Sequence, residues 1–235
     1  IGSGQSSDSL AVGNREGVLD AQLDFARENS NIILEFKTKS KNIAHLLKTD
    51  IPDNVFVSWS LNPQIFIDHE EHGTASLDQR LSCAKSLSDK GVLVGFHFHP
   101  IVYYEGYEDD YKNIVDKVMS MFEPHQIAMI SMGTLTFIKP AINKLRSAGL
   151  KSKVLQIPMV DAVGKSSYTK EIKAEIFSNV YNEFRAWHND LFFYLCMEES
   201  SIWESVFGDF YKSNVDFETA LFESVSSKMK PLEIA

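Results

Sequence analysis

Short apolar segments alternate along the chain with stretches whose apolar residues recur at helical spacing. Five segments have the length and composition of buried strands: 31–37, 54–61, 92–98, 126–132 and 190–197. Five other stretches have the period of amphipathic helices: 15–28, 77–90, 111–122, 135–148 and 169–187. Strands that alternate with helices predict parallel β/α units. Because the strands are apolar on both faces, we expect helices to cover the sheet.

The predicted helix over 77–90 has the most distinct ends. Ser76 and Gln79 have the spacing of a capping box, in which each side chain bonds the backbone of the other residue. Gly91 follows the helix, where a glycine often terminates one. The least regular part, 150–168, is expected to carry a short strand at 153–157 or to act as a lid. The tail over 209–235 has a helical pattern.

The whole chain is predicted to form one domain over residues 1–235. Its β/α units occupy 1–148, an irregular loop 149–168, and a helix, last strand and helical tail 169–235. With 235 residues, 44% of them apolar, the chain is long enough to bury a substantial core. It does not begin with Met, so we expect material to be missing upstream.

Charge and cysteine content narrow the function classes. The formal net charge is −9, whereas proteins that bind duplex DNA usually present a basic face, so charge does not support a nucleic-acid partner. No apolar run approaches the roughly 20 residues that span a bilayer, and no secretory signal is visible. The two cysteines, Cys83 and Cys196, form no C-x-x-C pair, which is typical of reduced thiols in a cytoplasmic protein.

Polar residues follow the predicted strands at their carboxyl ends, where parallel β/α folds bind ligands. Lys39 is the foremost candidate, since a lysine there can bind a carboxylate or phosphate or form a Schiff base. The alternative is an exposed lysine in a solvated loop, because Lys37, Lys41 and Lys48 are close in sequence.

Two histidines and one cysteine are further candidates. His97 and His99 are two residues apart on a strand, so both face the same way and could ligate a metal with a third residue from elsewhere. The third ligand would be one of His69, His72 and Glu105. The alternative is a buried, hydrogen-bonded histidine. Cys196 ends an apolar strand and is a candidate catalytic thiol, although buried cysteines usually act as small hydrophobes, as we expect for Cys83.

Four ordered segments carry a family resemblance. They are LEFKTKSKNIAHLL at 34–47, SWSLN at 58–62, EHGTASLDQR at 71–80 and GFHFHPIVYYEGY at 95–107. Together they resemble the spore photoproduct lyase family of radical S-adenosylmethionine (SAM) enzymes, and the match covers roughly residues 1–120. The resemblance implies an α/β fold, a partial (β/α) barrel of parallel strands with outer helices, lacking its first β/α unit.

The family's cofactors are SAM and a [4Fe–4S] cluster held by a C-x3-C-x2-C loop. This chain contains no such triplet, so the resemblance implies that the cluster cysteines lie upstream and that no metal ligand lies in this chain. By motif, Lys39 matches the lysine that binds the SAM carboxylate, Ser7 and Ser60 match serines near SAM, and His99 falls beside the adenosine. Gln5 stands where the lyase has its hydrogen-donating cysteine, a role that Cys196 could take over.

Three functions remain open from the sequence. The first is a radical SAM enzyme similar to spore photoproduct lyase, acting on an unknown substrate that could be DNA, with this fragment alone inactive. The second is a cluster-free β/α-barrel lyase that uses Lys39, with His99 as general base. The third is a non-catalytic relative. A barrel that lacks its first unit leaves a strand edge open, so we expect self-association through that edge or its covering by a loop or tail.

Overall fold

The computed structural model describes residues 1–4, 7–149, 152, 154, 159–162 and 165–229. The strands are β1 Leu34–Thr38, β2 Val55–Ser60, β3 Val94–Ile101, β4 Ile127–Thr134, β5 Thr136–Ile138, β6 Val160–Ala162, β7 Lys165–Ser167 and β8 Phe193–Leu195. The helices are α1 Val18–Glu28, α2 Gln64–Glu70, α3 Leu77–Asp89, α4 Tyr107–Met121, α5 Lys139–Ser147, α6 Lys170–Glu183, α7 Ser200–Phe207 and α8 Asn214–Ser226.

The main sheet is parallel, as the alternation of strands and helices predicts. Its strands lie in the order β1-β2-β3-β4-β8, and every neighbouring pair is parallel. Each of the five predicted strands is present in this sheet. The last is the most shortened, since only Phe193–Leu195 of the predicted 190–197 is strand. Because all five strands run the same way, their carboxyl ends share one rim.

The core lies between the sheet and its outer helices. Alternate residues of each strand, such as Phe36, Val57 and Phe96, are completely buried there. Helix α3 shows how the pattern produces this packing: Leu81 and Ala84 lie on its buried stripe. The predicted capping box is also present. The Ser76 hydroxyl accepts the Gln79 N–H at 3.3 Å, and the Gln79 side chain accepts the Ser76 N–H at 3.2 Å.

The segment 135–148 was predicted as one helix, and that prediction is wrong at its start. Residues Thr136–Ile138 form β5, and the helix begins only at Lys139. β5 pairs antiparallel with β7, which also pairs with β6, in a small second sheet. Strands of three residues are too short for an alternating pattern to reveal. The proposed strand at 153–157 lies outside the described residues except for residue 154.

Residues near both ends of the described part of the chain pack against the main sheet. Residues at the start bond the free edge of β1: Glu35 N–H donates to the Ile1 carbonyl at 2.8 Å, and Ser3 N–H donates to the Glu35 carbonyl at 2.9 Å. This is the covering of the open edge that the sequence led us to expect. At the amino ends of the strands, Val225 of α8 packs with an apolar cluster that includes Phe56 and Met129.

Within the part of the chain that the structure describes, no helix has both the length and the apolar character needed to cross a membrane. The division into 1–148, 149–168 and 169–235 stays a prediction.

Candidate functional site

The concave face of the main sheet carries polar side chains in the middle of an otherwise apolar fold. They alternate with the core residues, so they come from every second position of neighbouring strands. The set consists of Glu35 and Lys37 on β1, Ser58 and Ser60 on β2, His97 and His99 on β3, and Ser131 on β4. Toward the amino ends of the strands, Phe56 and Met129 line a cavity together with Glu35. We call this polar face of the sheet the cup, and its opening at the carboxyl ends of the strands the mouth.

The side chain of Ser131 lies between the two histidines. His97 Nδ1 lies 3.0 Å from Ser131 Oγ, and His99 Nε2 lies 2.6 Å from the same oxygen. His97 Nε2 is 2.6 Å from Glu35 Oε1, which also accepts the Ser58 hydroxyl at 2.5 Å. Among the described residues, no group of three or more His, Cys, Asp or Glu side chains is placed to hold a metal ion. Both rings are therefore hydrogen-bonded to protein side chains, as the alternative to a metal site predicted.

Electrostatics in the cup favour one carboxylate and two neutral histidines. Burial opposes the charge of Glu35, but the hydrogen bond and the field of His97 hold its pKa below the usual value. Burial lowers the pKa of His97, and burial together with His97 and Lys37 lowers the pKa of His99 well below its usual range. Both rings are therefore uncharged at neutral pH.

A second polar cluster lies at the rim. Lys39 Nζ pairs with Glu71 Oε1, and Glu71 Oε2 accepts Arg80 Nη2 at 2.6 Å. Arg80 is completely buried and Glu71 nearly so, whereas the Lys39 side chain keeps 30% of its exposure. Burial acts against the charge of Glu71, yet the two cations lower its pKa, so the carboxylate stays ionised. The cluster thus combines two cations with one carboxylate, and Lys39 is the cation that reaches the mouth.

The amino-terminal loop is tied to this rim by one carboxylate. Asp8 Oδ1 accepts the Thr38 hydroxyl at 2.6 Å, and Asp8 Oδ2 accepts the Lys39 N–H at 2.6 Å. The Leu10 N–H also donates to Asp8, which turns the loop back on itself. Ser7 is therefore held beside the carboxyl end of β1 with its side chain exposed.

The two edge strands of the sheet approach each other across the cup. In a flat sheet β1 and β8 would be about 19 Å apart, at roughly 4.8 Å per strand. Instead Glu35 on β1 and Tyr194 on β8 line the same cavity. Burial raises the pKa of Cys196, which follows β8, and the charge of Lys37 on β1 lowers it in part. The sheet must be curved to allow this, and the curvature brings the candidate thiol to the mouth.

The structure brings most of the residues chosen from sequence to one place. Lys39 and Ser60 adjoin the same buried cation, since the Ser60 carbonyl accepts Arg80 Nη1 at 2.8 Å. The resemblance placed His99 beside the adenosine of SAM, whereas its ring is hydrogen-bonded to Ser131 inside the cup. Gln5 lies outside the described residues.

Sequence reasoning overlooked several members of the site: Asp8, Glu35, Glu71, Arg80 and Ser131. The sequence contained a pattern that could have indicated three of these residues. Glu35 precedes Lys37 by two residues and so shares its face, and Glu71 and Arg80 are the charged ends of the segment EHGTASLDQR. For Ser131 the strand pattern offered no signal.

A parallel sheet with outer helices and polar residues at the strand ends is the architecture of a partial (β/α) barrel. The family model of spore photoproduct lyase matches residues 2–158. The chain belongs to the spore photoproduct lyase family.

Individual relatives agree with this assignment. Spore photoproduct lyase of Clostridium acetobutylicum is 24% identical over 193 residues, which cover 78% of this chain and 56% of the relative. A solved structure of spore photoproduct lyase complexed with dinucleoside spore photoproduct has a TM-score of 0.71 at 21% identity, over 83% of this chain and 60% of that one. A mutant of the lyase with bound AdoMet and dinucleoside spore photoproduct has a TM-score of 0.69 at 20% identity. The chain therefore spans little more than half the length of these proteins, and the predicted family and fold class are confirmed.

Proposed function

We propose that the full-length protein is a radical SAM enzyme and that this chain forms the SAM-binding side of its barrel. The observation that carries the proposal is the rim cluster, in which Lys39 is the exposed cation of a group with two cations and one carboxylate. A carboxylate of a ligand would find a charged donor there in Lys39, whose side chain is still partly exposed. Family membership supports SAM as that ligand, since a structurally similar lyase has AdoMet bound.

The residues present fit SAM at this rim. Lys39 would bind the carboxylate, the exposed Ser7 would approach from the amino-terminal loop, and Ser60 would line the wall. His99 would lie beneath the adenosine. When bound, SAM supplies hydrogen-atom abstraction through its 5′-deoxyadenosyl group. The chain's own contribution is to orient SAM with a fixed cation: Glu71 holds Lys39, and Arg80 holds Glu71.

The residues present do not fit the [4Fe–4S] cluster. Cys83 is on the outer helix α3, and its thiol donates to the Lys41 carbonyl at 3.5 Å. Cys196 is at the mouth, on the far side of the sheet. Two separated thiols cannot form the three-cysteine set, so we propose that the C-x3-C-x2-C loop lies upstream and that this chain alone is inactive.

The substrate is a separate proposal. The similar lyase structures hold a dinucleoside spore photoproduct, which supports a nucleic-acid substrate such as DNA. The net charge of −9 does not favour a large DNA interface. We therefore expect contacts limited to the mouth, with Cys196 as the hydrogen-atom donor there. We also propose a cytoplasmic location.

The test uses the full-length protein, purified without air and reconstituted with iron and sulfide. We expect absorption in the iron–sulfur charge-transfer region and release of 5′-deoxyadenosine after SAM and dithionite are added. Substitution Lys39→Ala should weaken SAM binding by about tenfold or more, since a charge-assisted hydrogen bond contributes roughly 1.5–3 kcal/mol. Lys41→Ala, at an exposed position, is the matched control. A colourless protein that leaves SAM intact would refute the proposal.

A further inference from the structure

Lys37 on β1 and Lys39 just after it are both partly buried but have different partners. Lys39 is paired with Glu71, which occupies its ammonium, although burial lowers its pKa as well. Lys37 is half-buried inside the cup, and no carboxylate lies within ion-pair distance of it in the described part of the chain. Its hydrogen-bond partner there is His99 Nδ1 at 3.4 Å. Lys37, not Lys39, is thus the lysine whose amine is free to react.

The hydrogen bonds beyond Lys37 have one consistent direction. An ammonium can only donate, so with Lys37 charged His99 accepts at Nδ1 and carries its own proton on Nε2. That proton is donated to Ser131 Oγ, and the serine hydroxyl is donated in turn to His97 Nδ1. His97 then carries its proton on Nε2 and donates it to Glu35. Each of these hydrogen bonds has one donor and one acceptor while both rings are neutral. The series connects the Lys37 ammonium to the Glu35 carboxylate.

We propose that Lys37 is a reactive amine at the mouth of the barrel, that it takes an aldehyde or ketone as an imine, and that the chain to Glu35 accepts its proton. The inference does not rest on the proposed radical chemistry, because it needs neither SAM nor a cluster. His99, Ser131, His97 and Glu35 are positioning residues in it.

The proton transfer balances through the chain. The Lys37 ammonium gives one proton to His99 Nδ1, and the proton on His99 Nε2 passes to Ser131 Oγ. The original Ser131 proton passes to His97 Nδ1, and the proton on His97 Nε2 passes to Glu35. The result is a neutral amine, a neutral carboxylic acid and two histidines with exchanged tautomers, with no change in net charge.

Imine formation then needs no further reactant. The Lys37 nitrogen adds to the carbonyl carbon, the C–O bond breaks, and the two amine hydrogens leave with the oxygen as water. Burial lowers the pKa of Lys37, while Glu35 and Cys196 oppose that shift and Lys39 reinforces it. A lysine of this kind has a larger neutral fraction at pH 7 than an exposed one, and each unit of difference in pKa raises that fraction tenfold.

The test is reductive trapping in the full-length protein, without added SAM. Acetaldehyde and cyanoborohydride are supplied at pH 7, and ethylated lysines are ranked by peptide mass spectrometry. We expect Lys37 to be labelled at least tenfold faster than the exposed Lys48. Labelling of Lys39 in preference to Lys37, or equal labelling of Lys37 and Lys48, would overturn the proposal.

The variant Ser131→Ala distinguishes a lysine that loses its proton through these hydrogen bonds from a lysine that is only buried. It removes the central link without changing any charge, so labelling of Lys37 should slow at least threefold while Lys48 is unaffected. An unchanged rate at Lys37 would reject the proton path. Should the variant not fold, nitrogen-15 spectra of the unmodified protein decide the matter. Both histidines should carry the proton on Nε2, and a proton on Nδ1 of His99 would exclude donation from Lys37.

Discussion

The most informative perturbation of this barrel is Glu71→Gln at the rim. The Glu71 side chain is 7% exposed and is contacted by donors on both of its oxygens. Oε2 accepts Arg80, and Oε1 accepts Lys39 together with Asn62 Nδ2 at 2.8 Å. The glutamine has nearly the same volume but replaces one acceptor with an NH2 donor. That donor must face either Arg80 or Lys39, and the charge that balances both cations is lost.

The expected loss is about 3–5 kcal/mol in the free energy of unfolding, the range found when one partner of a buried ion pair is removed. We expect a loss near 5 kcal/mol if Arg80 stays out of contact with water in the variant, because its side chain is completely buried. Urea unfolding followed by tryptophan fluorescence measures the effect. Trp59 is a suitable reporter because it is fully buried and its Nε1–H donates to the Ser40 carbonyl near the same rim.

The control is Asp89→Asn on α3, which breaks the exposed pair with Lys85 and should cost about 0.3–0.5 kcal/mol. A loss in Glu71→Gln as small as in the control would refute the reasoning. The pKa of Glu71 is lowered by folding, so its contribution is complete above the pKa of the unfolded state and disappears as the pH falls through the folded value. The difference between wild type and Glu71→Gln should therefore vanish in acid.

Three further changes test other parts of the structure. Asp8→Ala removes the bond to the Lys39 N–H and should lower stability by about 1–3 kcal/mol in urea unfolding, with weaker SAM binding by calorimetry. Gly95→Ala brings a methyl group to 3.0 Å from Met129 Cε, and the overpacking should cost about 1–3 kcal/mol and lower Tm. Ser76→Ala removes the α3 cap and should cost about 1 kcal/mol, whereas an unchanged Tm would mean that the capping box does not stabilise the helix.

The local features of this fold follow from the sequence because they depend on neighbours in the chain. The alternation of apolar strands and amphipathic helices predicts the parallel sheet, and Ser76 with Gln79 predicts the start of α3. The motif segments lead to the family, and Lys39 and Ser60 follow from the position of strand ends. The same reasoning failed at 135–138 and at α2, where the elements have three and seven residues and too few periods to recognise.

The tertiary structure alone decided which polar side chains meet. Glu35 and His97 are 62 positions apart and Ser131 a further 34, so their contact depends on strand order and register, which no local pattern encodes. The difference between Lys37 and Lys39 arises in the same way. Both follow the same strand pattern, but Glu71 and Arg80 fold back onto one of them, while the other faces two neutral histidines in a curved sheet. Sequence determined where charged residues stand along the chain, and burial with a particular partner determined what each can do.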